Sequence, residues 1–190
     1  VAQIAANVGD TDYPGNNFYF SSAQALNVAT GLDGMSGVAT FASGGNYAPL
    51  DPNSVITLLS TGALTQSAGA LLSGKALHAE GSRVVLNESN PVGVIAGRST
   101  GTSATDVFQY TSANGIQLSQ VDARYGIDHA GAAAAGAVTL MSVGGSIGQD
   151  ANAPILSAGG VHLDTTGPVG LSAATNQVAA VTSQGSSSFA

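Results

Sequence analysis

Cysteine is absent from all 190 residues, and so is tryptophan. The first absence excludes a disulfide framework and leaves stability to packing and backbone hydrogen bonds. It also suits a chain that must stay unfolded while threading a pore. Charge is nearly as scarce: Asp, Glu, Lys and Arg make up 8% of the residues, against about 25% in an average globular protein. The four cations, Lys75, Arg83, Arg98 and Arg124, are scattered along the chain and face 11 acidic residues, for a formal net charge of −7. Binding to nucleic acid needs clustered Lys and Arg and is therefore disfavoured. Attachment to an anionic membrane surface is disfavoured for the same reason. No apolar run reaches the roughly 18 residues of a membrane helix, and no signal-peptide pattern is seen, so membrane insertion is not expected. The chain opens at Val1 without Met, which is read as an engineered boundary rather than a processing site.

Hydrophobic residues make up 44% of the chain, yet aromatic residues only 5%. Disorder does not fit, because disordered chains combine few apolar residues with high net charge. An ordinary compact monomer would be left with an unusually neutral surface. Gly, Ala, Ser, Thr, Val and Leu dominate instead, and the polar surface is hydroxyl and amide. That profile suits long β-rich extracellular assemblies.

One bland phrase occurs twice. Ile56-Thr57-Leu58-Leu59-Ser60 matches Val138-Thr139-Leu140-Met141-Ser142 at an offset of 82 residues. The match continues through Gln66 and Gln149 (83), Leu71-Leu72-Ser73 and Ile155-Leu156-Ser157 (84), and Ala76-Leu77-His78 and Gly160-Val161-His162 (84). It goes on through Val84 and Val169 (85) to Asn90 and Asn176 (86). Earlier in the chain, Phe18, Phe20 and Ser22 match Phe108, Tyr110 and Ser112 at an offset of 90. Small insertions at turns between strands of fixed register produce such a creeping offset. The chain therefore reads as one architecture over residues 1–190, about two units of roughly 85 residues. A partial unit spans 1–53, a unit 54–135 and a partial unit 136–190.

Apolar and polar residues alternate over short stretches, as in half-buried strands. Val138 and Leu140 flank Thr139, Val161 and Leu163 flank His162, and Ile116 and Leu118 flank Gln117. Gly, Asn and Ser punctuate between them. Residues 130–137, "AGAAAAGA", are the one helix candidate by propensity, and a small-residue loop fits them equally. Short strands in long-range repeats predict an all-β fold, a right-handed parallel β-helix (β-solenoid), with a β-sandwich as the alternative. At roughly 20 residues per coil and about 4.8 Å per coil, nine or ten coils would form a rod about 45 Å long. Matching residues of the two units would then stack above one another. Asn90 and Asn176 read as turn residues able to form amide ladders. Asn87-Glu88-Ser89 matches a glycosylation triplet of the kind that arises often by chance.

The phrases "VTLMSVGGSIGQ", "GGVHLDTTGPVGL" and "NGIQLSQVDARYGID" resemble the repeats of filamentous haemagglutinin-type exoproteins, the two-partner secretion adhesins of Gram-negative bacteria. The resemblance runs from about Phe18 to Thr182 and is strongest from Ser54 onward. It implies a right-handed parallel β-helix at the cell surface, exported by an outer-membrane transporter and engaged in adhesion, aggregation or biofilm. The expected partner is a host or neighbouring-cell surface, including its glycans, with end-to-end self-association as a further possibility. On this reading the segment is a piece of shaft without a cofactor. Its rivals are a self-assembling filament or surface-layer subunit and a β-helical polysaccharide lyase or hydrolase.

Chemistry-bearing residues are few. Asp122, Arg124, Tyr125, Asp128 and His129 in "QVDARYGIDH" form the candidate polar cluster, able to line a small groove for a sugar. The counterpart "NVATGLDGMSG" keeps only Asp33, so a polar turn decorating the rod is favoured over the paired carboxylates of a glycosidase. His78 and His162 are each followed two residues later by an acid, Glu80 or Asp164. Four coils apart, about 19 Å, they cannot share a metal, and each reads as an outward side chain pairing with its acid. Asp10 and Asp12 could offer oxygens to calcium but read as loop residues, and the calcium-binding nonapeptide is absent. No P-loop, dinucleotide fingerprint or nucleophile elbow is present. No metal, cofactor or catalytic residue is expected.

Overall fold

The computed structural model describes residues 1–9, 16–41, 53–129, 137–173 and 175–184. Every regular element among them is a strand. The alternation read from sequence is what buries them: Val138 and Leu140 turn inward and Thr139 outward, and Ile116 and Leu118 do the same around Gln117. The strands that make up the coils pair in parallel with strands of adjacent coils. Among the described residues, antiparallel pairing is confined to a hairpin of Gln120–Val121 with Arg124–Tyr125 and to the single bridge Leu32–Met35. A sandwich of antiparallel hairpins is thereby excluded, and the fold is a parallel β-helix. The segments 10–15 and 130–136 lie outside the described residues, and with them the readings made for Asp10, Asp12 and the alanine-rich stretch.

The chain visits three faces in turn. Face I stacks Phe18–Ser22, Val55–Ser60, Ala76–Gly81, Val94–Ser99 and Ile127–His129, then the first residues of Ile155–Thr165. Face II stacks Ala2–Ile4, Leu26–Val28, Leu64–Gln66, Val84–Asn90, Phe108–Ser112 and Val138–Ser142, then the later residues of Ile155–Thr165. Face III carries Ala6–Gly9, Val38–Phe41 and Leu72–Ser73, and further along Ile116–Leu118, Ile147–Gln149 and Val169. The strand Gln177–Gln184 closes faces I and II.

In-register columns fill the interior. Ala2, Leu26, Leu64, Val84, Phe108, Val138, Val161 and Val181 are successive partners up face II, buried from Leu26 to Val161. Burying a Val, Leu, Ile or Phe side chain contributes about 1.5–3 kcal/mol relative to leaving it exposed. Tyr110 sits among these residues because its hydroxyl donates to the Val92 carbonyl at 2.7 Å, and burial pushes its pKa well above the usual phenol value. At about 4.8 Å per strand the face II column is ~34 Å long, shorter than nine or ten coils would give. Coils run from 18 residues (Ala76 to Val94) to 38 (Leu26 to Leu64), because the connections between faces differ in length.

The long-range repeat does not stack on itself. From Val55–Ser60, face I continues through Ala76–Gly81, Val94–Ser99 and Ile127–His129, and the next strand, Val138–Ser142, lies on face II. Ile56 and its sequence match Val138 are therefore three coils and one face apart. Val84 on face II matches Val169 on face III, and Leu72 on face III matches Leu156 on face I. Leu58 and Leu140 are both fully buried, but in different columns. The expected vertical stacking of matched letters is corrected to a screw that advances one face per repeat.

What the repeat preserves is an amide pair at a corner, one member buried and the other half-buried. Gln66 Nε2 donates to the Ala70 carbonyl (2.5 Å) and to Asn90 Oδ1 (2.7 Å), and Asn90 Oδ1 also accepts the Leu72 N–H (2.8 Å). In the second copy Gln149 Nε2 donates to the Ala153 carbonyl (2.8 Å) and Asn176 Oδ1 (2.7 Å), which also accepts the Ile155 N–H (2.8 Å). Each pair stitches one coil to the next. Asn90 is 0% exposed, so it is a structural strut and not merely a turn residue.

Candidate functional site

The Ile116–Leu118 strand runs towards face I, where Leu118 pairs with Ile95. Face I resumes at Ile127, which pairs with Gly97. Residues 119–126 are inserted opposite Ala96 alone, and they fold into the antiparallel hairpin. Gly126 N–H donates to the Ser119 carbonyl (3.0 Å) and Gly97 N–H to the Gly126 carbonyl (2.9 Å), which returns the chain to register. Gly126 has φ +60°, and a Cβ there would lie 2.1 Å from the Pro154 carbonyl oxygen, so only glycine fits. Asp122 occupies the turn with φ 53°, a left-handed conformation that Asp tolerates.

The Leu32–Met35 bridge is a shorter version of this hairpin, with Asp33 at φ 49° in the place of Asp122. It lies between strands of faces II and III, while the 119–126 hairpin lies between faces III and I. The one-face shift thus applies to the insertions as well.

The hairpin folds back over the outer side of face I. There the register sets Thr57 beside His78, and Glu80, Arg98 and Asp128 in one row across adjacent strands. Asp122 Oδ2 accepts from Thr57 Oγ1 at 2.5 Å and lies 3.3 Å from His78 Nδ1. His78 Nε2 is 2.9 Å from Glu80 Oε1, which Arg124 also reaches, with Nη2 at 2.6 Å and Nε at 2.8 Å. Arg124 Nη1 stands 4.0 Å from Asp128, and Arg98 Nε lies 3.1 Å from Asp128 Oδ2. The Arg98 contact is an ion pair without hydrogen-bond alignment. Two cations that are scattered in sequence thus converge on one acid.

The hydrogen bond with His78 is the main reason that the Glu80 pKa is lowered to about 2; burial opposes it, and Arg124 adds to it. A carboxyl held so low is the opposite of a general acid, which needs a raised pKa. The network's evident effect is to fasten the hairpin to three strands of face I. Among the described residues no three His, Asp or Glu side chains are placed to hold a metal ion.

Of the five residues of the candidate cluster, the structure brings Asp122, Arg124 and Asp128 together. Tyr125 stands on the outside of the hairpin, 45% exposed. His129 is turned away from them: strand alternation points Asp128 outward and His129 inward, where it is 3% exposed. Among the described residues neither of its ring nitrogens has a hydrogen-bond partner. Burial pulls its pKa below the usual value, against the opposing pull of Asp106 and Asp128. His78 and Glu80 do pair as expected, but hairpin residues cover them and His78 is buried. His162 instead faces Thr182 Oγ1 at 3.0 Å. Thr57 and Arg98 complete the network and carry no signal in sequence, because unequal coils hide which residues become neighbours. No family model, curated protein or solved structure matches this chain.

Proposed function

We propose that this chain is a shaft segment of a secreted bacterial surface adhesin of the filamentous haemagglutinin type. The supporting observation is the face II column, an unbroken stack of in-register parallel strands. Every coil is tied to the next by backbone ladders, so the stack resists bending and holds its outer side chains at fixed spacing. Those side chains are mostly neutral hydroxyls and amides. Individually weak contacts of this kind gain strength only in number, along a rigid support. The partner on this reading is a host or neighbouring-cell surface, including its glycans.

The Asp122–Asp128 network acts here as a latch and not as an enzyme centre. Each of its carboxylates is held through at least one oxygen by Thr57, His78, Arg98 or Arg124. The test is display of the segment on a non-adherent bacterial strain, scored for autoaggregation and for attachment to epithelial cells. Attachment above a strain displaying an unrelated β-helix supports the proposal; attachment equal to that control overturns it. Incubation with polysaccharides that yields shortened products would favour the enzyme instead.

A further inference from the structure

Between the hairpin turn and the Phe18–Ser22 strand the outer side of face I carries a groove of about 360 Å³. Val55, Leu59 and Ala123 give it an apolar lining, and Tyr19, Asn17 and Asp122 bring chemistry to it. Tyr19 alternates outward between the inward Phe18 and Phe20 and is 66% exposed, an unusual position for a large ring. In register it neighbours Thr57, the residue that fixes Asp122. Ring and carboxylate therefore stand about one to two strand spacings apart, ~5–10 Å.

Asp122 Oδ2 is engaged by Thr57 and His78, whereas Oδ1 accepts no hydrogen bond from any described residue. Asn17 Oδ1 accepts the Val55 N–H at 2.8 Å, which leaves its amide N–H groups to donate. Among the described residues no Lys or Arg lines the groove, and its one basic side chain, His78, has its ring nitrogens turned to Asp122 and Glu80.

We propose that this groove binds a neutral pyranose ring. An aromatic face takes the C–H side of a sugar as it takes other apolar surface. A carboxylate accepts sugar hydroxyls through charge-assisted hydrogen bonds, and the asparagine amide donates to a hydroxyl or ring oxygen. An acidic sugar would meet Asp122 with no Lys or Arg to offset its charge, and His78 is already held between Asp122 and Glu80, which selects against it. Asp122 is already fixed by two contacts and a left-handed backbone, so little ordering is needed on binding. The volume lies near the lower end of small-molecule pockets, about 300–1,000 Å³. The site depends on the groove's own residues and not on the shaft reading.

The experiment is an amide NMR titration of the full chain with methyl glycopyranosides of the gluco, galacto and manno series, and with methyl glucuronide. Neutral glycosides are expected to shift Tyr19, Thr57 and Ala123, with Kd of the order of millimolar, as one ring in a shallow site allows. Tyr19→Ala should weaken binding at least about tenfold and leave distant resonances in place, while Tyr125→Ala should bind as the parent does. Asp122→Asn should weaken it too. The proposal is overturned if no neutral glycoside shifts these residues, if the glucuronide binds as well, or if Tyr19→Ala binds unchanged. Adhesion without sugar-induced shifts would overturn the groove and spare the shaft; shifts without adhesion would do the reverse.

Discussion

Replacing Asn90 by alanine removes a fully buried side chain that meets six polar atoms at a corner of the coil. Its Oδ1 accepts from Gln66 Nε2 and the Leu72 N–H, and the two N–H bonds of its Nδ2 are shared among the carbonyls of Glu88 (2.8 Å), Thr111 (3.2 Å) and Leu86 (3.5 Å) and Gln66 Oε1 (3.3 Å). After truncation Gln66 keeps the Ala70 carbonyl and the Glu88 N–H. The Leu72 N–H and at least one carbonyl lose their side-chain partner. Each buried group left unsatisfied costs about 1–3 kcal/mol, so Asn90→Ala should destabilise the fold by about 2–4 kcal/mol. Asn90→Asp separates donor from acceptor: the Leu72 contact survives, but a second carboxylate oxygen faces carbonyls where an amide donated. It should be at least as damaging as alanine at neutral pH and recover partly once the carboxyl is protonated. A double-mutant cycle with Gln66→Ala should give a coupling of about 1 kcal/mol. Urea melts followed by circular dichroism measure all of these. A loss below about 0.5 kcal/mol for Asn90→Ala, the range of an ordinary surface change, would refute the strut.

Three further outcomes follow from the same geometry. Glu80 titrates near 2 in the fold and near 4.5 when unfolded, so its contribution is complete above pH 4.5 and is lost as the pH falls towards 2; Glu80→Gln should flatten that part of the stability profile, read by tryptophan-free near-UV signal or amide exchange in the hairpin. His129 has a lowered pKa in the fold, so stability should fall as the pH drops below the usual histidine value; His129→Leu should abolish that loss in thermal melts between neutral and mildly acid pH. Gly97→Ala would place a Cβ 2.5 Å from both the Ala79 carbonyl oxygen and the Phe108 ring; a destabilisation of about 1–3 kcal/mol is expected in urea melts, and none would mean the two coils are further apart.

Strand positions and their inward residues were legible because alternation is local: Val138-Thr139-Leu140 carries its own burial pattern. The matched Gln66/Gln149 and Asn90/Asn176 letters were visible too, but their pairing was not. A strut links residues 24 apart in one copy and 27 in the other, and the coil length that sets this spacing is decided by insertions. The same irregularity concealed the one-face advance, since a repeat of three coils and a third looks like any other repeat in one dimension. In the candidate cluster, Asp122, Arg124 and Asp128 were adjacent in sequence and came together. His129 is two residues from Ile127 on the same strand and shares its inward side, so nearness to Asp128 in sequence does not bring it to the cluster. Thr57 joined through the folding back of the hairpin, and Arg98 through the pairing of its strand with Ile127–His129.

The parallel stack itself is tested most directly by cysteine cross-linking, which the absence of native cysteine makes clean. Gln109 and Thr139 are outward-facing partners on face II, 30 residues apart in sequence. Adjacent strands lie about 4.8 Å apart, within the Cα range of roughly 4.4–6.8 Å that a disulfide spans. Gln109→Cys with Thr139→Cys should oxidise rapidly to an intramolecular disulfide, seen as a loss of free thiol in the monomer under native conditions and not in urea. Free thiols persisting in the folded double variant would contradict the coil-on-coil arrangement.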